Sequence, residues 1–418
     1  MKTVIISTSD MTGGAARAAY SQASGLRHLG EDVTMCVQRK FGTDEWVLQQ
    51  SGKINKILNL FRPFSESIPL KRYPQNNRGQ WSLNWMPNPG LANRTNSLKP
   101  DIIHLHWIGG GFFPINQLQN LSSPIVWSMH DMWAFTGGCH YDNFCGRFTA
   151  ACGSCPQLDG KEKDLSQKIF KKKKKLWDNV PITFVAASQW MATEIKRSNL
   201  FSESRVEVIP NGIDLQIFKP INKTTAREIL GLPTNGNYLL FGAMGIGSIS
   251  GTGDTRKGFQ YLVPALKRLA ASGNYHNLNL IIYGSSAPKE TLDLGFPIHF
   301  IGRVHDETTL VLINSAADVT LVPSVQETFG LVATESMACG TPVVAFGATG
   351  LLDIIDHQIN GYLAAPYDEK DFAYGITWLL DDDQRRQAVA SAARQKCLKE
   401  YELKSIAKKF VNLYEEIL

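Results

Sequence analysis

Short apolar runs alternate with longer amphipathic stretches along most of this chain. Runs at residues 4–7, 32–36, 102–106, 125–128 and 183–186 form one set. Runs at 238–241, 278–283, 298–301, 319–322 and 343–346 form a second. Each is of strand length, and helical spacing lies between them, as at 258–271. Strands that alternate with helices require parallel sheets covered on both faces. Two sets predict an α/β chain of two doubly wound, Rossmann-like domains. Ligands of such sheets bind beyond the carboxyl ends of the strands, here in a cleft between the domains.

The turn chemistry of Val208-Ile-Pro-Asn-Gly-Ile-Asp214 marks the boundary. The expected division is 1–207, 208–400 and a C-terminal helix at 401–418. Residues 51–96 are rich in Asn, Pro, Ser, Trp and Arg, with weak periodicity. They read as an insertion, either a flap near an acceptor or a surface excursion. A net charge of +5 across 418 residues is far from a nucleic-acid signature but suits an anionic ligand or surface. No apolar stretch reaches the length of a membrane span, and the first apolar run is too short for a signal peptide. A cytoplasmic protein is expected. Seven cysteines, an odd number, argue against a disulfide framework.

The segment Glu327-Thr-Phe-Gly-Leu-Val-Ala-Thr-Glu335 follows a strand-like run and leads into a helix-like one. The order aims a helix N-terminus at the ligand. Its free N–H groups and dipole favour an anion. Two carboxylates beside that anion could grip sugar hydroxyls. With Gly340-Thr-Pro342 and the strand at 343–346, this stretch resembles the retaining glycosyltransferases of family 4, which have the GT-B fold. The resemblance covers most of the chain and is strongest over 303–363. It implies transfer of a sugar from a nucleoside-diphosphate-sugar to a hydroxyl of a saccharide or lipid-linked glycan, as in polysaccharide biosynthesis. It also implies that Glu327 contacts donor-sugar hydroxyls and Glu335 ribose hydroxyls. The backbone at Phe329, Gly330 and Leu331 would hold sugar and phosphate. By the same resemblance the last helix crosses back to the first domain.

Arg256-Lys257-Gly258 opens a helix after the glycine-rich run 242–253. Helix N-termini disfavour cations, so a functional reason for the pair is sought. A lysine there can neutralise a diphosphate leaving group as its bond to the sugar breaks. The resemblance gives that role to Lys257. The family carries an arginine in a Gly-Arg pair after the preceding strand. Here the pair is Gly242-Ala243, and Arg256 is the candidate replacement. Gly245 and Gly247 do not make a dinucleotide fingerprint, because no carboxylate ends the next strand. Near the N-terminus, Gly13 and Gly14 follow the first strand and let backbone approach a phosphate or sugar. Arg17 either faces an acceptor phosphate or lies on the surface.

His130 follows the strand at 125–128, where the family places a histidine that meets the donor sugar. His104 and His106 alternate onto one face, which suits packing. No Asp-x-Asp pair sits at a strand end, and Asp381-Asp382-Asp383 reads as a cap and turn. Transfer without a catalytic divalent metal is expected. Cys139, Cys145, Cys152 and Cys155 fall within 17 residues. Four soft ligands so close suit structural zinc; two disulfides or free thiols are the other readings. Trp133-Ala-Phe-Thr-Gly-Gly-Cys139-His140 is similar to a stretch in a subgroup of family 4. Lys171 to Lys175 are consecutive. Such a run usually forms a solvated helix face, and its apolar flanks allow peripheral contact with anionic lipid on the inner face of the membrane. Two other readings of the whole chain are a nucleotide-sugar epimerase and a catalytically silent sugar-binding scaffold.

Overall fold

The structure, a computed structural model, describes residues 1–49, 53–73, 79–242, 255–287 and 292–418, with the backbone alone at 53–58 and 60. The chain divides into two compact units, Met1–Gly212 with Lys404–Leu418, and Ile213–Leu403. The division falls at Gly212, a few residues past the turn at 208.

The first unit carries β1 (Lys2–Ser9), β2 (Asp32–Arg39), β3 (Val47–Gln49), β4 (Ile102–Leu105), β5 (Ile125–Met129), β6 (Ile182–Ala186) and β7 (Val206–Val208). They form one sheet in the order β3-β2-β1-β4-β5-β6-β7. The second unit carries β8 (Asn237–Gly242), β9 (Leu278–Tyr283), β10 (Ile298–Gly302), β11 (Val319–Val322), β12 (Val343–Phe346) and β13 (Gly361–Ala364). Their order is β10-β9-β8-β11-β12-β13. All pairings are parallel. The order reverses between β1 and β4 in one sheet and between β8 and β11 in the other. Those are the points where neighbouring loops diverge and leave a ligand crevice.

Burial explains why the middles of the central strands are apolar. Val4, Ile5 and Ile6 of β1 are fully buried, as are Leu239 and Leu240 of β8. Helices lie on both faces, so alternate residues have no solvent side. The final helix, Leu403–Ile417, places Ile406, Ala407, Phe410, Leu413 and Tyr414 in one core with Ile5, Leu26 and Val33. It thereby covers a face of the first sheet. Among the described residues no helix is long and apolar enough to cross a membrane.

Two expectations are corrected. The stretch 51–96 is not a loose excursion where it is described. It contains the helix Lys53–Glu66, and Leu70, Leu83 and Leu91 join the main core of the first unit. Glu66 Oε1 accepts from the backbone N–H of Leu83 at 2.5 Å and of Asn84 at 2.8 Å. Nor is the lysine run a uniformly solvated face. In the helix Leu165–Trp177 the buried positions are Ser166, Ile169, Phe170, Lys173 and Trp177, the three- and four-residue spacing of one face. Lys173 falls on that face and is 0% exposed, while its four lysine neighbours are exposed. Its ammonium donates to the carbonyls of Trp133 and Thr136 and lies 3.9 Å from the Trp133 ring centre. Burial pushes the amine down to about 7, against the opposing pull of the nearby thiols and Asp131.

The position therefore outweighs the residue type. Lys173→Ala should cost roughly 2–4 kcal/mol, because it opens a cavity and strips donors from two carbonyls. Lys172→Ala should stay within about 0.5 kcal/mol. Urea unfolding of the two variants checks this, and equal midpoints would refute the burial.

Candidate active site

In the second unit the chemistry gathers where β11 ends. The strand gives way to Pro323 and Ser324, and a loop carries Glu327 before the helix Leu331–Ala338. Gly330 precedes that helix with φ 116°, and no side chain caps it. A Cβ at Gly330 would come within 2.8 Å of the Leu351 side chain. The N–H groups of the first turn are thus left to a ligand or water. Phe329 packs edge-on against Tyr401 and is 2% exposed, so only its backbone is on offer. Glu335 lies within the helix and is 5% exposed.

Arg256 and Lys257 reach the same place from another segment. The Val325 N–H donates to the Arg256 carbonyl at 2.7 Å. Gly258 permits the approach: its φ is +74°, and a Cβ there would lie 1.6 Å from the Pro323 carbonyl oxygen. Lys257 Nζ sits 2.7 Å from Glu327 Oε2, and Arg256 reaches the same oxygen at 3.5 Å. Arg256 also donates to the Gln326 carbonyl at 3.1 Å. Burial alone would raise the Glu327 carboxyl, but the charges of Lys257 and Arg256 outweigh it and hold the group below the usual range. Glu327 stays ionised with two cations around it. The Gly242-Ala243 pair is only partly described, and the glycine-rich run from 243, with Gly245 and Gly247, lies outside the described residues.

Sequence reasoning missed Thr349 and Gly350. Thr349 Oγ1 accepts from the Glu327 N–H at 3.0 Å, and the Gly350 N–H donates to the Glu327 carbonyl at 2.9 Å. Together they clamp the backbone of the carboxylate. The signal was a Thr-Gly pair just after β12, and Thr349 has φ 54°.

In the first unit Gly13 has φ 92° and precedes the helix Gly14–His28, whose start has no side-chain cap. Arg17 lies in that helix, partly buried. His130 follows β5 and His106 follows β4, and their facing nitrogens, Nε2 and Nδ1, are 2.8 Å apart. His104 stacks on the other side of His106, with ring centres 4.5 Å apart. His104 and His106 are buried, while His130 is partly exposed.

Asp131, next to His130, plays a different part. Its carboxylate accepts from the Trp107 indole at 2.7 Å and the Trp133 N–H at 2.8 Å, and meets His140 Nδ1 at 2.6 Å. His140 Nε2 in turn lies 2.8 Å from Ser82 Oγ. The connectivity is that of a hydrolytic triad. Ser82 and His140 are 2% and 1% exposed, so no substrate reaches the hydroxyl. The trio instead pins the loop at 133–140 to the strand ends.

Cys139 and Cys155 are buried, Cys145 and Cys152 partly so, and none of the seven cysteines is joined in a disulfide. Burial raises all four of the clustered thiols, Cys152 to about 12 and Cys155 to about 11. Charge on neighbouring cysteines raises Cys139, Cys152 and Cys155 further. Among the described residues no group of three or more His, Cys, Asp or Glu is set to hold a metal ion.

Two family models match, one described as glycosyl transferases group 1 over residues 224–396, the other as glycosyltransferase family 4 over 12–217. The chain belongs to glycosyltransferase family 4. An uncharacterised glycosyltransferase of Methanocaldococcus jannaschii is 34% identical over 225 residues, 51% of this chain and 54% of the relative. A D-inositol 3-phosphate glycosyltransferase of Xylanimonas cellulosilytica is 29% identical over 310 residues, 70% of this chain and 67% of the relative. For most of the curated relatives the match spans about half of their length. A sucrose-phosphate synthase of Thermosynechococcus elongatus superposes with a TM-score of 0.69 at 20% identity, covering 100% of this chain and 99% of that one. Anabaena HepE, solved with UDP and glucose, gives 0.64 at 18%, covering 99% of each chain. The two Rossmann-like units are those of the GT-B fold.

The close approach at Gly258 makes a direct test. Gly258→Ala should lose at least about 2 kcal/mol, the left-handed strain plus a backbone collision. Gly273 has a similar φ of +71° with nothing within 4 Å of its absent Cβ. Gly273→Ala should cost only the strain, about 1–2 kcal/mol. Thermal unfolding of both variants separates the two terms.

Proposed function

We propose that this chain is a retaining glycosyltransferase that moves a sugar from a nucleoside diphosphate to a hydroxyl of a saccharide or lipid-linked glycan. The observation that carries the reading is the meeting of Arg256, Lys257 and Glu327 beside an uncapped helix start. A diphosphate is the ligand such a site suits. Its charge would take over Lys257 and Arg256, with Arg256 standing in for the arginine absent at Ala243. The Glu327 carboxylate, released from Lys257, would then accept from the sugar hydroxyls. Backbone N–H groups at Phe329, Gly330 and Leu331 would help hold sugar and phosphate, and Glu335 the ribose. As the glycosidic bond breaks, charge grows on the diphosphate, and fixed cations stabilise that step more than the ground state. The leaving phosphate is the natural acceptor for the proton of the attacking hydroxyl, since no side chain stands out as a base. His130, neutral because burial drives it down to about 4, would give the donor sugar a hydrogen bond. Gly13 and Gly14 would let backbone come close to a phosphate or sugar. With two cations supplying charge, the transfer step is expected to need no catalytic divalent metal.

HepE was solved with UDP and glucose and with UDP-glucose, which makes uridine diphosphate sugars the first donors to try. The exposed lysines around Lys173 would allow peripheral contact with an anionic inner membrane face. One observation favours a second reading, a silent binding protein: the family's phosphate arginine is Ala243 here.

A thermal-shift panel of UDP-, GDP-, ADP- and dTDP-sugars without metal tests the donor site. A ligand at 100 times its Kd should add about 2.7 kcal/mol to the wild type. Lys257→Ala should lose most of that gain. Binding without turnover toward any acceptor would favour the silent protein, and no shift with any donor would sink the proposal.

The cysteine-rich loop is proposed to hold structural zinc, supported by four cysteines within 17 residues of sequence; the described geometry is not that of an assembled site, so the metal would have to draw the thiols together. Zinc thiolates would add to the negative charge that Asp131 supplies near the Lys173 ammonium. Metal analysis of reduced, purified protein should find about one zinc per chain under this reading. Four titratable thiols and no metal would overturn it.

A further inference from the structure

We propose that His106 is a positioning residue that fixes His130 in the tautomer carrying its proton on Nδ1. The inference starts from proton counting across three stacked imidazoles. His104 stacks on His106, and His106 on His130 at 5.1 Å between ring centres. Burial drives His104 down to about 3 and His106 well below the ordinary range. Each ring therefore holds a single proton at neutral pH.

The proton of His104 is accounted for. Its Nδ1 lies 2.9 Å from the Gln22 amide nitrogen and also faces the Tyr414 hydroxyl. An amide nitrogen can only donate, so Nδ1 accepts and the proton sits on Nε2. That N–H donates to Ser128 Oγ at 2.8 Å. His104 thus serves the sheet and the final helix, and meets His106 only by stacking.

His106 is different. Its side chain makes one polar contact, Nδ1 to His130 Nε2 at 2.8 Å. Its own Nε2 is buried without a hydrogen-bond partner among the described residues. A leucine would fill this core position at lower cost if packing were the only demand. Two proton arrangements satisfy the 2.8 Å contact. In one, His106 Nδ1–H donates to His130 Nε2, and the orphan atom of His106 is a lone pair. In the other, His130 Nε2–H donates, and the orphan is an N–H. Orphaned buried N–H groups are the rarer defect in folded proteins. The first arrangement follows. His130 then carries its proton on Nδ1, the tautomer that a free histidine side chain favours less. Its consequence for catalysis rests on the proposed function: the hydrogen bond to the donor sugar would be given by Nδ1.

The test reads the tautomer directly. The chain has nine histidines, so selective 15N labelling with long-range 1H–15N correlation is tractable, with His130→Gln for assignment. The expected wild-type pattern for His130 is a protonated Nδ1 and a bare Nε2. His106→Asn keeps an N–H near the Nδ1 position and should preserve it. His106→Leu should return His130 to the Nε2–H form. A wild-type His130 protonated on Nε2, or a pattern unmoved by His106→Leu, would overturn the proposal. Once a donor is known, His106→Leu should lower kcat about tenfold, the worth of one hydrogen bond, with nucleoside diphosphate affinity unchanged. Combined with His130→Leu it should cost nothing further, whereas additive losses would count against it. If no nucleotide sugar is ever turned over, the transfer reading fails while the spectrum still decides the tautomer.

Discussion

A parallel sheet covered by helices on both faces has no side on which to do chemistry. The middles of its central strands are apolar, as residues 4–6 of β1 and 239–241 of β8 are here, and polar groups gather toward the strand ends. At the carboxyl ends, chain directions diverge, helices begin, and N–H groups face outward. Each candidate in this chain obeys that constraint. Glu327 follows β11, His106 follows β4, His130 follows β5, and Gly13 follows β1. The site residues lie where they do because the rest of each strand is committed to the core.

Bringing groups of opposite charge to one such end then creates a second constraint. Lys257 and Arg256 meet Glu327 through a backbone approach that only a glycine at 258 permits. The cations keep the carboxylate ionised despite its burial. The carboxylate in turn gives two cations at a helix start the partner they otherwise lack. The three groups are mutually dependent, and the arrangement is poised for an anion that competes with Glu327 for its neighbours.

Most of this was legible in the sequence, for identifiable reasons. Ten of the described strands announce themselves as apolar runs, most because a doubly buried strand has no polar alternation to hide it, although β2 alternates and β10 is only partly buried. The three unannounced ones, β3, β7 and β13, are three or four residues long and lie at the edges of their sheets. Lys173 was misread because a run of like charges suggests solvent, yet a helix turns each residue by its own angle. Ile169, Phe170 and Trp177 already marked the buried face, and Lys173 lies on it. The segment 51–96 hid its structure for the opposite reason: Glu66, Leu83 and Asn84 are joined by contacts that no local periodicity reports. Thr349 is invisible from Glu327 because its contribution is one hydrogen bond across 22 residues of chain.

The histidines show how far a sequence reading can go before geometry must take over. Alternation places His104 and His106 on one face, and packing was the natural inference. It holds for His104, whose polar atoms are all taken by Gln22, Tyr414 and Ser128. It is incomplete for His106, which spends its single polar contact on His130 and leaves its other nitrogen bare. Burying an imidazole half-satisfied costs stability, and a fold keeps such a residue when the contact it does make is worth more than the one it lacks. Two identical residue types, two positions apart at the end of one strand, therefore differ in role through their partners alone. The distinction between a core histidine and one that serves a site is a matter of where each proton goes.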